Sequence, residues 1–184
     1  AQARVSDRKA ARKVLFLKSS RTVLEAAIRF AARYAAEARR LADEEADPAR
    51  RDELLQVAAN CEHVPAQPAA TFWQALQSTW FLQLLVQVES NGHSMGPGRL
   101  DQFLHPTYSR DLASGALTAD AATELMQCFI MKFNEIRKAR QTSHTRVMHG
   151  YPMFQTVTLG GQLSDGSDAS NDLTYHMLEA MAGA

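Results

Sequence analysis

From Val64 to Val88 the sequence carries no charged residue. A run of that kind either crosses a bilayer, for which about 20 consecutive apolar residues suffice, or is enclosed by protein. Gln74, Gln77, Ser78, Thr79, Gln83 and Gln87 interrupt this run too often for hydrocarbon. Buried amides and hydroxyls are tolerated where protein groups satisfy them. The pattern therefore predicts a helix over about 72–89, N-capped by Thr71 after the breaks at Pro65 and Pro68, and buried on most faces. Phe72, Trp73, Leu76, Trp80, Phe81, Leu84, Leu85 and Val88 supply its apolar surface. A helix enclosed on most faces needs more neighbours than 184 residues readily provide, so a larger parent protein is expected.

The flanking segments are also mainly helical in pattern. Residues 22–46 place Val23, Ala27, Ile28, Ala31, Tyr34, Ala35, Ala38 and Leu41 three and four apart, with Arg29, Arg33, Arg39 and Arg40 largely between them. Ala46-Asp47-Pro48 ends that helix, and the proline opens a second one over about 48–62. Thr118 caps a further helix of about 119–140, with Leu125, Met126, Phe129, Ile130, Phe133 and Ile136 on one face. Tyr151 to Gly161 is rich in β-branched and aromatic residues and closes on paired glycines, which predicts a strand. Asp165-Gly166 and the polar run to Asn171 form a turn, after which Leu173, Met177, Leu178 and Met181 restart a helix. The chain starts without Met and stops in that helical run, as expected of a piece of something longer. An excerpt of an α/β barrel fits this order of elements, and so does an irregular helical domain.

The 20 basic and 20 acidic side chains cancel, yet residues 1–40 hold 11 Lys and Arg against 3 acids, a net charge of +8 that leaves −8 for the remainder. A basic start of this kind suits a nucleic-acid arm or a transit peptide. Because it runs straight into an amphipathic helix, a solvated face paired with acids elsewhere is the expectation, with no nucleic-acid or membrane partner. Two distant cysteines make no disulfide framework and point to a reducing, cytoplasmic setting. Cys128, beside Phe129, reads as a small core residue.

Candidate chemistry is sparse. His144 and His149 are five apart and His93 and His105 twelve apart, spacings that build no recognised metal site, so none is expected. Asp165, Ser167, Asp168, Asn171 and Asp172 are oxygen-rich but lack the Gly and Glu spacing of a calcium loop. On a helix, the side chains of Cys61 and His63 diverge on either side of Glu62, which argues against a nucleophile there. Phosphate-binding glycine motifs and the serine-hydrolase elbow are missing. The strongest candidate is the segment from Glu89 to Asp101, polar and glycine-rich, running off the buried helix. Either it is a tight turn in which Asn91, Arg99 and Asp101 satisfy buried backbone, or it lines a pocket, with His93 and Ser94 offering donors and acceptors to a polar substrate.

Several separated motifs bear on that choice. Glu89-Ser90-Asn91-Gly92-His93-Ser94 is followed by Pro97-Gly98-Arg99-Leu100-Asp101-Gln102 and Phe103-Leu104-His105-Pro106. Leu54-Leu55 through Cys61-Glu62-His63-Val64-Pro65 precedes them, and Lys132-Phe133-Asn134-Glu135-Ile136, Gly150-Tyr151-Pro152-Met153-Phe154-Gln155 and Gly160-Gly161-Gln162 follow. Over about residues 22–182 this order resembles the glycyl radical enzymes of the pyruvate formate-lyase-like superfamily, in particular the branch of dehydratases, lyases and decarboxylases. Residues 1–21 match that pattern less well, and residues 1–184 would be an internal slice of one such domain.

The resemblance implies an α/β fold, here a predominantly helical part of a ten-stranded barrel around the active site. It implies a C-terminal glycyl radical, and a thiyl radical on a loop cysteine that takes hydrogen from a small polar substrate before water, an amine, sulfite or carbon dioxide leaves. A separate activating enzyme using S-adenosylmethionine and an iron-sulfur cluster installs the radical, so no cofactor is bound, and the full-length protein is expected to be a homodimer. His93 and Ser94 match the substrate-lining loop. The family's Gly-Cys-x-Glu loop and its Arg-Val-x-Gly-Tyr radical site have no counterpart here, so neither cysteine receives a catalytic role and the chain alone is expected to be inactive. Pyruvate formate-lyase proper and a non-enzymatic interaction protein are the alternative readings.

Overall fold

In the computed structural model, residues 8–90, 95–136, 141–148 and 155–183 are described. The chain divides into two compact units, Ala1–Gln67 and Pro68–Ala184.

The first unit pairs α1 (Arg8–Glu44) with α2 (Pro48–His63). Helix α1 begins well before residue 22, where the periodic apolar pattern starts, because residues 8–21 are good helix formers free of Gly and Pro. Its buried stripe is narrower than its apolar pattern suggests. Ala27, Ala31, Ala35, Ala38 and Ala42 are buried, whereas Val23, Ile28, Tyr34 and Leu41 are exposed. Alanines at spacings of three and four let a partner helix approach closely, and the larger side chains flank the seam. Asp47 accepts a hydrogen bond from the Ala49 amide and Pro48 takes the first helical position, as the sequence predicts for the start of α2. The basic face pairs with nearby acids. Arg40 bridges Glu37 and Glu44, and Arg39 grips both oxygens of Glu62 at 2.8 Å, holding that carboxyl below its usual range.

The second unit is built from α3 (Phe72–Glu89), β1 (Gly98–Arg99), α4 (Leu100–Ala113), α5 (Ala119–Glu135), α6 (Thr142–Met148), β2 (Val157–Thr158) and α7 (Asp172–Ala182). Thr71 caps α3 through the Gln74 amide and Thr118 caps α5 through the Ala121 amide, both at 3.2 Å. Phe72, Leu76, Leu100, Leu104, Tyr108, Met126, Phe129, Leu173 and Met177 form one core, with the Phe72 and Tyr108 rings edge to face at 5.4 Å. Among the described residues no helix is long and apolar enough to cross a membrane.

Three expectations change here. Helix α4 occupies a stretch in which the sequence pattern shows no element. It forms despite Pro106 because Leu100, Leu104, Tyr108 and Asp111 share one buried face. Within the expected strand of 151–161, the described part pairs as a strand only at Val157–Thr158, and the glycine pair turns the chain after Leu159; 151–154 lie outside the described residues. Cys128 is exposed rather than in the core. Helix α5 buries Ala122, Met126 and Phe129, and a residue one step before Phe129 is rotated about 100° off that stripe.

Candidate functional site

His93 and Ser94, the predicted substrate contacts, lie outside the described residues, as do Asn91 and Gly92. The framework on either side of them is described. β1 pairs in parallel with β2, Gly98 opposite Val157 and Arg99 opposite Thr158. A Cβ on Gly96 would run into the Thr156 carbonyl oxygen, so glycine is required for this approach.

The Gly98-Arg99-Leu100-Asp101-Gln102 motif clasps the segment around the paired glycines. The Arg99 guanidinium donates to the carbonyls of Gly160 at 2.6 Å and Gln162 at 3.2 Å. Asp101, fully buried, accepts the Gly160 amide at 2.7 Å and the Thr174 hydroxyl at 2.5 Å. Gln102 donates to the Ala169 carbonyl at 2.7 Å, and Asn171, the N-cap of α7, donates to the Asp101 carbonyl. Gly160 and Gly161 adopt φ of +62° and +93°, a region open to glycine at little cost. Arg99 and Asp101 thus satisfy backbone, the first of the two readings of this segment. The two motifs, separated by about 60 residues in sequence, form one unit of structure.

Above this clasp sits a group of amides. Gln83 and Gln87, buried on α3, both donate from Nε2 to the Met95 carbonyl at 2.7 Å and to Gln155 Oε1 at 3.0 and 3.3 Å. Gln155 Nε2 in turn donates to the Phe133 carbonyl at 3.0 Å. The charge-free run predicts that amides on α3 find partners, and these two do. A second polar chain links three helices. Tyr108 of α4 meets His176 Nδ1 at 2.8 Å and His176 Nε2 meets Thr123 of α5. The Thr123 hydroxyl also lies 3.0 Å from the Ala119 carbonyl one turn earlier on α5.

Among the described residues no three His, Cys, Asp or Glu side chains converge as metal ligands would. Asp165 and Asp168 each cap a local turn, accepting the amides of Ser167 and Ser170. Cys61 is buried, and burial together with neighbouring Glu62 pushes its thiol up to about 11. At pH 8 it is therefore about one part in a thousand thiolate. Titration of the folded chain with an aromatic disulfide reagent at pH 8 is expected to modify Cys128 promptly and leave Cys61 unreacted until denaturant is added. Prompt reaction of both thiols contradicts the burial of Cys61.

The model of the family described as pyruvate formate lyase-like matches residues 1–183, and the chain belongs to that family. The chain is 46% identical over 169 residues to the probable dehydratase YbiW of Escherichia coli (strain K12), and 41% identical over 167 residues to the isethionate sulfite-lyase of Desulfovibrio desulfuricans. These alignments take in 90% of the chain but only 21% and 20% of the two relatives, so the chain spans about a fifth of their length. Among solved structures, it superposes on the 1,2-propanediol-dehydrating enzyme of Roseburia inulinivorans with a TM-score of 0.91 and 41% identity. On the B12-independent glycerol dehydratase of Clostridium butyricum the TM-score is 0.89 and the identity 39%. Each superposition covers 97% of this chain and 22% of the other.

Proposed function

We propose that residues 1–184 are an internal part of a glycyl radical enzyme of the dehydratase and lyase type, cleaving a C–O, C–N, C–S or C–C bond of a small polar substrate. The observation that carries this reading is near-complete coverage of the chain by relatives of that kind at about 40% identity, with glycerol and propanediol dehydratases at TM-scores near 0.9. On this reading the β1–β2 strand pair and the helices around it belong to a ten-stranded barrel. The glycyl radical and the cysteine it activates, both outside this sequence, supply hydrogen-atom abstraction once a radical S-adenosylmethionine enzyme has acted. The working enzyme is a cytoplasmic homodimer.

This chain's contribution is binding and orientation. His93 and Ser94 donate to a hydroxyl or carboxylate oxygen of the substrate, fixing which C–H bond faces the abstracting group and which leaving group lies next to it. The clasp of Arg99 and Asp101 on the Gly160 turn supports the strand pair that the His93 segment joins.

The test is anaerobic activation of the full-length protein, followed by electron paramagnetic resonance and product analysis. Glycerol, propane-1,2-diol, isethionate and trans-4-hydroxy-L-proline are the probes. A glycyl signal with turnover of at least one probe is expected. His93→Ala and Ser94→Ala are expected to keep the signal and to lower kcat/KM by about a hundredfold and tenfold. Full activation machinery without a glycyl signal refutes the proposal.

A further inference from the structure

Helix α1 is longer than the helix that covers it. It runs 37 residues against 16 in α2, and all of its buried residues, Ala27, Ala31, Ala35, Ala38 and Ala42, lie in its second half. The stripe they form does not stop there. Lys13, Leu17, Ser20 and Leu24 lead into Ala27 at spacings of four, three, four and three, which keeps them on the same face of the helix. Phe16 and Val23 edge this stripe beside Leu17 and Leu24. Phe16, Leu17, Val23 and Leu24 are 69%, 54%, 67% and 58% exposed. Contiguous exposed apolar surface of this kind marks an interaction site. Residues 8–26 thus present about 28 Å of helix with no buried side chain, at a rise of about 1.5 Å per residue.

The charge on this stretch narrows what covers it. Residues 8–24 hold six Lys and Arg and no acid. Further along α1 cations find carboxylates on the helix itself, Arg21 with Glu25 and Arg40 with Glu37 and Glu44. Arg12, Lys13 and Lys18 have no acidic residue within four positions on the chain. Lys13 stands within the apolar stripe, whereas a helix lying on a membrane keeps its cations on the opposite face. Two copies meeting by this face would set six cations against six. Nucleic acid would offer phosphates but no apolar partner for Phe16, Leu17, Val23 and Leu24. The covered half of the stripe shows the mode that fits. There the cover is a helix, and Arg39 of α1 grips both oxygens of Glu62 on it at 2.8 Å.

We infer that residues 13–24 of α1 are a docking surface for a further helix, contributed by the part of the full-length polypeptide outside residues 1–184. That helix carries small or apolar side chains along its seam and carboxylates facing Lys13 and Arg12, and it continues along α1 the cover that α2 begins. The chain spans about a fifth of the length of its relatives, so most of the polypeptide is available to supply it. The inference rests on the reading of this chain as part of a longer enzyme and adds to it an interaction surface with a partner of stated chemistry. No residue of the proposed substrate contact takes part.

The experiment treats the wild-type full-length protein with a carbodiimide, which joins a lysine amine to a carboxylate touching it, and maps the linked peptides. A link from Lys13 to an Asp or Glu outside residues 1–184 is expected, with a yield unchanged on dilution. In parallel, Leu17→Cys, Leu24→Cys and Thr22→Cys are labelled with a maleimide in the full-length protein. Thr22 is exposed and two positions from both Ser20 and Leu24, about 200° round the helix from the stripe. Cysteines at 17 and 24 are expected to react at least about tenfold more slowly than the one at 22, because labelling there waits on local opening, and all three alike in denaturant. Lys13→Glu is expected to abolish the link and to speed labelling of Leu17→Cys several-fold. Equal labelling of the three positions in the native protein overturns the inference. So does a link from Lys13 to a carboxylate within residues 1–184, or one whose yield falls on dilution, which assigns the face to a second copy. Protection that persists unchanged in Lys13→Glu overturns the acidic character given to the docking helix. Each of these leaves the functional reading standing, whereas a native polypeptide no longer than 184 residues overturns both together.

Discussion

Asp101→Ala is expected to destabilise the Pro68–Ala184 unit by about 2–4 kcal/mol, because it removes the carboxylate that accepts from two buried donors. The carboxylate is fully buried and receives the Gly160 amide and the Thr174 hydroxyl on one oxygen. Alanine strands the Gly160 amide, leaves the Thr174 hydroxyl only the 3.4 Å contact with Asn171 Oδ1, and loosens α4 from the Gly160 turn and from α7. Asp101→Asn keeps an oxygen in the same place and is expected to cost about 1 kcal/mol, the ordinary net value of a hydrogen bond. Urea denaturation followed by circular dichroism, with hydrogen exchange at the Gly160 amide, checks both variants. Equal losses for Ala and Asn would show that the buried charge, rather than the accepted hydrogen bonds, is what matters at this position.

Phe72→Ala is expected to be at least as severe, at about 3–5 kcal/mol, the usual range for emptying a buried aromatic site. Phe72 is completely buried at the start of α3, edge to face with Tyr108, and its amide donates to Asp111 Oδ2 at 2.6 Å. The substitution removes the ring and leaves a void next to Leu76 and Tyr108, while the backbone bond to Asp111 is free to persist. The loss thus reports packing rather than capping. Against a typical total of 5–15 kcal/mol it moves the urea midpoint far enough to be unmistakable. A shift below about 1 kcal/mol would mean that the surroundings collapse into the space.

The two variants separate the contributions that frame the candidate site. Asp101 acts on the joint between α4, the Gly160 turn and α7, and Phe72 on the packing between α3 and α4. Both side chains are fully buried. Both are expected to act first on stability.

Local signals in the sequence settled α2, α3, α5 and α7 with their starts, whereas α4 and α6 were not foreseen and α1 begins earlier than its periodic pattern. Asp47 with Pro48, Thr71 and Thr118 each act within three residues along the chain, so a reader of the sequence sees both partners of the cap at once. The same holds for the two aspartate turns at 165 and 168. The family was legible because its motifs occur in order across most of the chain, and their order does not depend on knowing how they touch. Helix α4 was not legible, since Pro106 breaks its pattern and its stability comes from the face shared by Leu104 and Tyr108. The burial of Cys128 was misjudged because hydrophobicity of a neighbour does not fix a residue's angle around the helix.

What the tertiary structure decided is which polar groups are partners. Asp101 meets Gly160 across 59 residues and Thr174 across 73, and Gln83 meets Gln155 across 72. Nothing in the spacing of those residues announces the pairing. A buried amide or carboxylate states only that some partner exists, and the chain's three-dimensional path determines which one.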